Sequence, residues 1–172
     1  MSLPRETLAR YITPGCTFIE TGARWGDSLI RAAELGAAHV YSCESDGIMA
    51  AIAREHAQDV LARMDIDLEV SGQDSETWLP DIADGMDEPV ILFLDAHTSH
   101  ESPILKELSA VKREWQPKPA IILIDDVRLF RSKQWGISLD DVLAAVRAVG
   151  DYEISYDMGI QPEDVLVARL RA

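Results

Sequence analysis

The sequence predicts an α/β protein: a three-layer sandwich with helices on both faces of a seven-stranded, mostly parallel sheet that closes on an antiparallel hairpin. Three observations carry this. Short apolar runs alternate with helix-period segments almost to the end of the chain. Two of those runs, 90–94 and 120–124, are apolar throughout, as central parallel strands buried on both faces are. The last two runs, 152–156 and 165–170, have no helical segment between them, only a short connection with Gly159 and Pro162 that suits a hairpin.

Taken in order, residues 4–11 leave room for one short helix before strand 17–21, which runs into Gly22-Ala-Arg-Trp-Gly26. Helix 27–35 is stopped by Gly36, and strand 40–43 ends in Cys43-Glu44. Segment 48–64 places apolar residues at 48, 52, 60 and at 49, 53, 57, 61, a helical period. Strand 66–70 alternates apolar residues with acids, and a short helix covers 75–83. After strand 90–94, Ser102-Pro103 supplies an N-cap and a first-turn proline for a helix to about Trp115. After strand 120–124, Ser138-x-x-Asp141 is a capping-box-like start for a helix to Val149. Residues 127–137 read as a loop. No repeat or low-complexity tract interrupts residues 1–172, which are read as a single domain. No signal peptide is seen, and Met1-Ser2-Leu3 reads as a scar left by an expression vector.

Composition sets the classes. Apolar residues make up 47% of the 172, enough for a folded core. Sixteen Lys+Arg against thirty Asp+Glu give a net charge of −14, which argues against a nucleic-acid partner. Such a balance suits cationic ligands or simply a solvated acidic surface. The two cysteines, Cys16 and Cys43, lack zinc spacing and read as reduced thiols of a cytoplasmic protein. No apolar run approaches membrane-spanning length, so no membrane partner is expected.

Ligands of open α/β sheets sit beyond the carboxyl ends of the strands. Each parallel strand here is followed, at its end or soon after, by an acid: Glu20, Glu44, Asp74, Asp95 and Asp125-Asp126. Any one of them has helix capping as its plain alternative, strongest at Asp74, where Ser75 opens a helix. Glu44 falls about twenty residues beyond the glycines Gly22 and Gly26, where a ribose-binding carboxylate belongs. The loop is Gly-x-x-x-Gly with Glu20 two residues before it. A carboxylate there suits a cationic amine better than a pyrophosphate. Asp95, Asp125 and Asp126 bring three carboxylates to one edge, where they repel unless a cation or proton intervenes; oxygen ligands of this kind suit Mg²⁺, Mn²⁺ or Ca²⁺. The alternative is capping with one raised pKa and no metal.

These motifs resemble the class I S-adenosylmethionine-dependent methyltransferases, a Rossmann-like family, over about residues 18–170. The resemblance rests on Glu20-Thr-Gly22-Ala-Arg-Trp-Gly26, the acid after strand two, Asp74-Ser75 after strand three and the closing hairpin. It implies that the glycine loop meets the methionine part of the cofactor, that Glu44 takes the ribose hydroxyls, and that Asp74 holds the adenine amino group. Asp95, Asp125 and Asp126 resemble the Mg²⁺ ligands of metal-dependent O-methyltransferases of the catechol and macrocin types. Leu-Asp95-Ala-His97 and Ile-Asp125-Asp126-x-Arg128 are also similar to small uncharacterised methyltransferase-like proteins. Catechol-type enzymes carry a Lys soon after the strand-four Asp, and Asp95-Ala-His97-Thr98-Ser99-His100 has none.

The expected function is methyl transfer to a hydroxyl of a small-molecule or saccharide-like acceptor, with metal assistance. Asp95 is expected to act in catalysis and to touch the cofactor as well. His97 lies two residues beyond Asp95 and is the candidate general base, or else a residue that only orients Asp95. Competing readings are a non-catalytic cofactor-binding module and a metal-dependent hydrolase. Trp25 either stacks on a ligand or packs under its loop; Arg128 and Arg131 either bind an anionic substrate or pair with acids; Phe130 and Trp135 line a pocket or cover the core. His56 falls on an apolar stripe and reads as a partly buried structural histidine. A lightly covered sheet edge at the hairpin suggests a homodimer.

Overall fold

A computed structural model describes residues 3–83, 86 and 88–171. Among the described residues, β1 (Thr17–Thr21), β2 (His39–Cys43), β3 (Asp67–Ser71), β4 (Val90–Leu94), β5 (Ile121–Ile124), β6 (Tyr152–Asp157) and β7 (Val165–Leu170) form one sheet in the order β3-β2-β1-β4-β5-β7-β6. The first five strands run parallel, and β7 inserts antiparallel between β5 and β6. The fold class expected from the sequence is therefore the one observed. The helices are α1 (Arg5–Leu8), α2 (Asp27–Glu34), α3 (Gly47–Arg63), α4 (Ser75–Asp81), α5 (Ile104–Glu114), α6 (Val127–Arg131) and α7 (Leu139–Val149).

Alternation along the strands feeds two cores, one on each face. Phe18, Val40, Ile91 and Phe93 pack with α1–α3, whereas Ile19, Leu92, Ile122 and Ile124 pack with Trp78, Leu108, Val111 and Val142 of α4, α5 and α7. Strands β1, β4 and β7 coincide with their expected spans, and most other elements differ by one or two residues at an end. Ser138 and Asp141 form the capping box, with Asp141 N–H donating to Ser138 Oγ at 3.2 Å and Ser138 N–H to Asp141 Oδ2 at 2.8 Å. Pro103 occupies the N-cap of α5 rather than its first turn. Leu3 is buried in the core, and its carbonyl accepts from Arg31 Nη1 at 3.2 Å. Met1 and Ser2 lie outside the described residues.

One element was read as loop and is helix: α6, the five residues after Asp126. It is too short to show a period, and Asp126 enters it in the left-handed region, with φ 61°. No described helix is long and apolar enough to cross a membrane.

Candidate functional site

The strand order reverses between β1 and β4, and at the carboxyl edge there a cleft of about 790 Å³ opens. Its β1–β2 half is lined by Glu20, Gly22, Glu44, Asp74 and Ser75; its β4–β5 half by Asp95, His97, Asp125, Asp126 and Arg128.

In the β1–β2 half, the N–H groups of Gly22 and Ala23 donate to Cys43 O at 2.9 and 3.0 Å, tying the glycine loop to the end of β2. Gly22 has φ +87°, and a Cβ there would stand 3.0 Å from Asp95 O, so no other residue lets the β1 loop pass so close to the β4 loop. Gly26 (φ +77°) does a different job from the one expected. A Cβ on it would meet Ala53 O at 2.9 Å, so it seats α2 against α3, and it does not line the cleft. Glu44 accepts from Arg24 N at 3.0 Å and Asp46 N at 3.1 Å, bracing the glycine loop against the start of α3. Asp74 holds the N-cap position of α4 without a side-chain cap hydrogen bond, so capping does not account for its carboxylate.

Glu20 is 1% exposed, and its Oε2 has no hydrogen-bond partner. Burial pushes its pKa well above the carboxylate range; the Ser28 hydroxyl and Arg31 oppose the shift, while Asp95 and Glu44 add to it. Beneath this half lies a residue the sequence reading missed. Glu107 of α5 is 1% exposed with neither carboxyl oxygen well hydrogen-bonded, and burial raises its pKa to about 7 against the pull of the Ser75 and Thr21 hydroxyls. Its signal was an acid at an inward position of the stripe Ile104, Leu108, Val111.

In the β4–β5 half, His97 Nε2 lies 2.9 Å from Asp126 Oδ2 and 3.9 Å from Asp95 Oδ1, and its Nδ1 is 3.3 Å from Thr98 O. Both nitrogens face acceptors, which favours the imidazolium. The Asp126 hydrogen bond is the main cause of a raised His97 pKa, against burial. The ring leans on Trp135, with centroids 5.1 Å apart, and Trp135 Nε1–H donates to Thr98 O at 3.1 Å. Burial would raise the Asp126 pKa, but His97 and Arg128 outweigh it and hold it low. Asp125 is 3% exposed with both oxygens unpartnered; burial, then Asp95 and Asp126, raise its pKa to about 8. Arg128 resolves in favour of pairing with acids: Nη1 lies 2.7 Å from Asp126 Oδ1 and also bonds Asp164 Oδ2, while its N–H donates to Asp164 Oδ1 at 3.0 Å. Asp164 is wholly buried and carried no local signal in the sequence, since it precedes β7 in a connection.

The expected Asp95–Asp125–Asp126 metal set is not brought together. Atoms within 4.8 Å of one another come from Asp95, His97 and Asp126, or from Asp125, Asp126 and Asp164. In both groups Asp126 is already engaged, Oδ2 by His97 and Oδ1 by Arg128. The residues present do not fit a resident Mg²⁺.

Among the remaining candidates, Trp25 is 50% exposed on the cleft rather than packed under its loop, and Phe130 belongs to the core. Arg131 pairs with Glu163 at 3.1 Å. His56 is exposed, not partly buried: its Nδ1 meets Trp25 O at 2.8 Å.

No family model matches the sequence, and no curated protein matches it. Solved structures do. An O-methyltransferase from Bacillus cereus in complex with SAH superposes with a TM-score of 0.62 at 18% identity, over 89% of this chain and 73% of that one. The precorrin-6y C5,15-methyltransferase from Geobacter metallireducens GS-15 gives 0.67 at 15% identity, over 97% and 86%. The magnesium protoporphyrin IX methyltransferase from Synechocystis PCC 6803 with bound SAH gives 0.64 at 18%, over 97% and 83%. This chain has the fold of the class I S-adenosylmethionine-dependent methyltransferases.

Proposed function

We propose that this protein is an S-adenosylmethionine-dependent methyltransferase that methylates an oxygen of a small-molecule or saccharide-like acceptor, with His97 as general base and without Mg²⁺. The observation that carries the reading is the division of one cleft into two chemically distinct halves at the β1/β4 switch point. The β1–β2 half suits the cofactor. Its lining is rich in acids, as a cationic sulfonium and ammonium require, and the unpartnered Glu20 oxygen is an acceptor waiting for a donor. Gly22, Glu44, Asp74 and Ser75 would hold the cofactor, and Asp95 closes the junction with the other half.

When bound, S-adenosylmethionine supplies a methyl group activated by a positively charged sulfur. The chain's own work is in positioning and proton transfer. His97 must first lose the Nδ1 proton that faces Thr98 O. With Nε2–H donated to Asp126, the neutral ring then takes the acceptor proton at Nδ1 as the new oxygen–methyl bond forms and the bond from that methyl to sulfur breaks. Asp126 then stabilises the imidazolium, and Trp135 fixes the ring plane.

Calorimetry tests the premise. S-adenosylmethionine and its demethylated product are expected to bind the native protein, and binding of NAD in their place overturns the reading.

A further inference from the structure

We propose that Arg128 is a built-in counter-ion that stands where a divalent metal would sit in the carboxylate cluster beyond β5, and that with Asp164 it positions Asp126 on His97. The reaction assigned to the site rests on the methyltransferase reading above; the geometry of the cluster does not.

Asp95, Asp125, Asp126 and Asp164 crowd one edge of the sheet, and so many carboxylates need positive charge or protons nearby. The chain supplies the charge itself. The guanidinium bridges Asp126 and Asp164 from a single nitrogen, Nη1, while the Arg128 backbone N–H donates to the second Asp164 oxygen. Val127 N–H donates to Asp164 O at 2.9 Å, so the first turn of α6 is tied to Asp164 at three points. A guanidinium is always charged and presents its donors in a rigid fork, which suits a fixed structural cation. The left-handed backbone at Asp126 (φ 61°) is the local cost: it turns Asp126 towards His97 while Asp125 is buried beside it.

The oxygens an ion would need are taken. His97 holds Asp126 Oδ2, Arg128 holds Asp126 Oδ1, and Arg128 covers both Asp164 oxygens. An entering Mg²⁺ would have to expel the guanidinium, leaving a second cation beside it and a fully buried Asp164 without its partner, which is strongly unfavourable. Asp125 is the exception: its oxygens have no partner, so it is the carboxyl that would draw a cation if Arg128 were gone. Arg128 and Asp164 are thus positioning residues, acting on the reaction through Asp126.

The experiment is thermal unfolding with and without millimolar Mg²⁺, Mn²⁺ or Ca²⁺ in the wild type, Arg128→Met and Arg128→Lys. The wild type and Arg128→Lys are expected not to respond. Arg128→Met is expected to start lower and to gain a metal-dependent rise of roughly 5–10 °C at a hundredfold excess over Kd. Should Arg128→Met not fold, the double variant Arg128→Gln/Asp164→Asn removes the pair together, and the same gain is expected of it. A wild-type rise with Mg²⁺ that Asp126→Asn abolishes overturns the proposal. A folded Arg128→Met or double variant that ignores all three ions overturns it too. Titrating the same wild-type sample with S-adenosylhomocysteine separates the two claims: failure to bind it removes the methyltransferase reading and leaves the metal response to decide on Arg128.

Discussion

The β1–β2 half of the cleft is assembled from residues 20–28, 44–46 and 74–75, each a strand end running straight into the next loop or helix. The β4–β5 half joins residues 95–97, 126–128, 135 and 164, contributed by four separate stretches and held by side chain to side chain bonds. The first half is therefore written as local spacing and the second as long-range pairing. The relay proposed for the β4–β5 half draws its acids, base and counter-ion from separate stretches that meet at hydrogen-bond distance. On the reading proposed above, the β1–β2 half needs only backbone clearance and one acceptor per strand.

This difference explains what the sequence disclosed. The strands, the glycine loop, Glu44 and Asp74 follow from periodicity and distance along the chain, and they lie on the cleft as expected. Gly26 was placed at the ligand because spacing says where a glycine is but not which neighbour it clears; that neighbour, Ala53, is far along the chain. Asp126 and His97 were singled out, yet their partnership was not, because αL backbone at an aspartate and a buried aspartate in a connection leave no pattern to read. Glu107 was legible in principle, as an acid on an apolar stripe.

Substitution at His97 is the most severe separation of the halves. His97→Gln is expected to lower kcat by ~10²–10⁴-fold while leaving S-adenosylmethionine affinity nearly unchanged. Because Asp126 raises the His97 pKa, the wild-type rate should climb with pH through a value above 6.5 as the imidazolium loses its proton, and the variant should lack that limb. Equal losses in affinity and kcat would show that the halves are not independent.

Glu107 tests the floor of the cofactor half. Its folded pKa of about 7 exceeds the ordinary 4.5, so its contribution to stability is fully present below 4.5 and is lost as pH rises through about 7. Glu107→Gln cannot ionise. The wild type should lose up to about 3 kcal/mol more than the variant across that window. Glu20, Asp125 and His97, whose pKa values are also raised, titrate in both and cancel in the difference. A wild-type profile parallel to the variant's would mean that the buried carboxyl is already paired.

The smallest effect is expected at Glu44. Glu44→Ala should weaken cofactor binding by ~1.5–3 kcal/mol, the worth of hydrogen bonds to a charged group, with kcat at saturation little altered. Calorimetry and saturation kinetics on one preparation check both parts. A kcat loss as large as that of His97→Gln would place Glu44 in the chemistry instead.

The segment before β1 reaches across to the start of the connection between β6 and β7. Thr7 Oγ1–H donates to Met158 O at 2.8 Å, Tyr11 O–H to Asp157 Oδ2 at 2.6 Å, and Arg10 Nη1 lies 2.5 Å from Asp157 Oδ1. This clasp grips the start of the connection that ends in Asp164. During synthesis residues 7–11 therefore wait, their partners unmade, until residues 157–158 have followed. Strands β1 to β5 and the glycine loop precede the later half of this clasp in the sequence, whereas Asp164, which fixes Arg128 on Asp126, follows β6. The Asp126–His97 pairing is therefore held in place by a residue made later than every parallel strand.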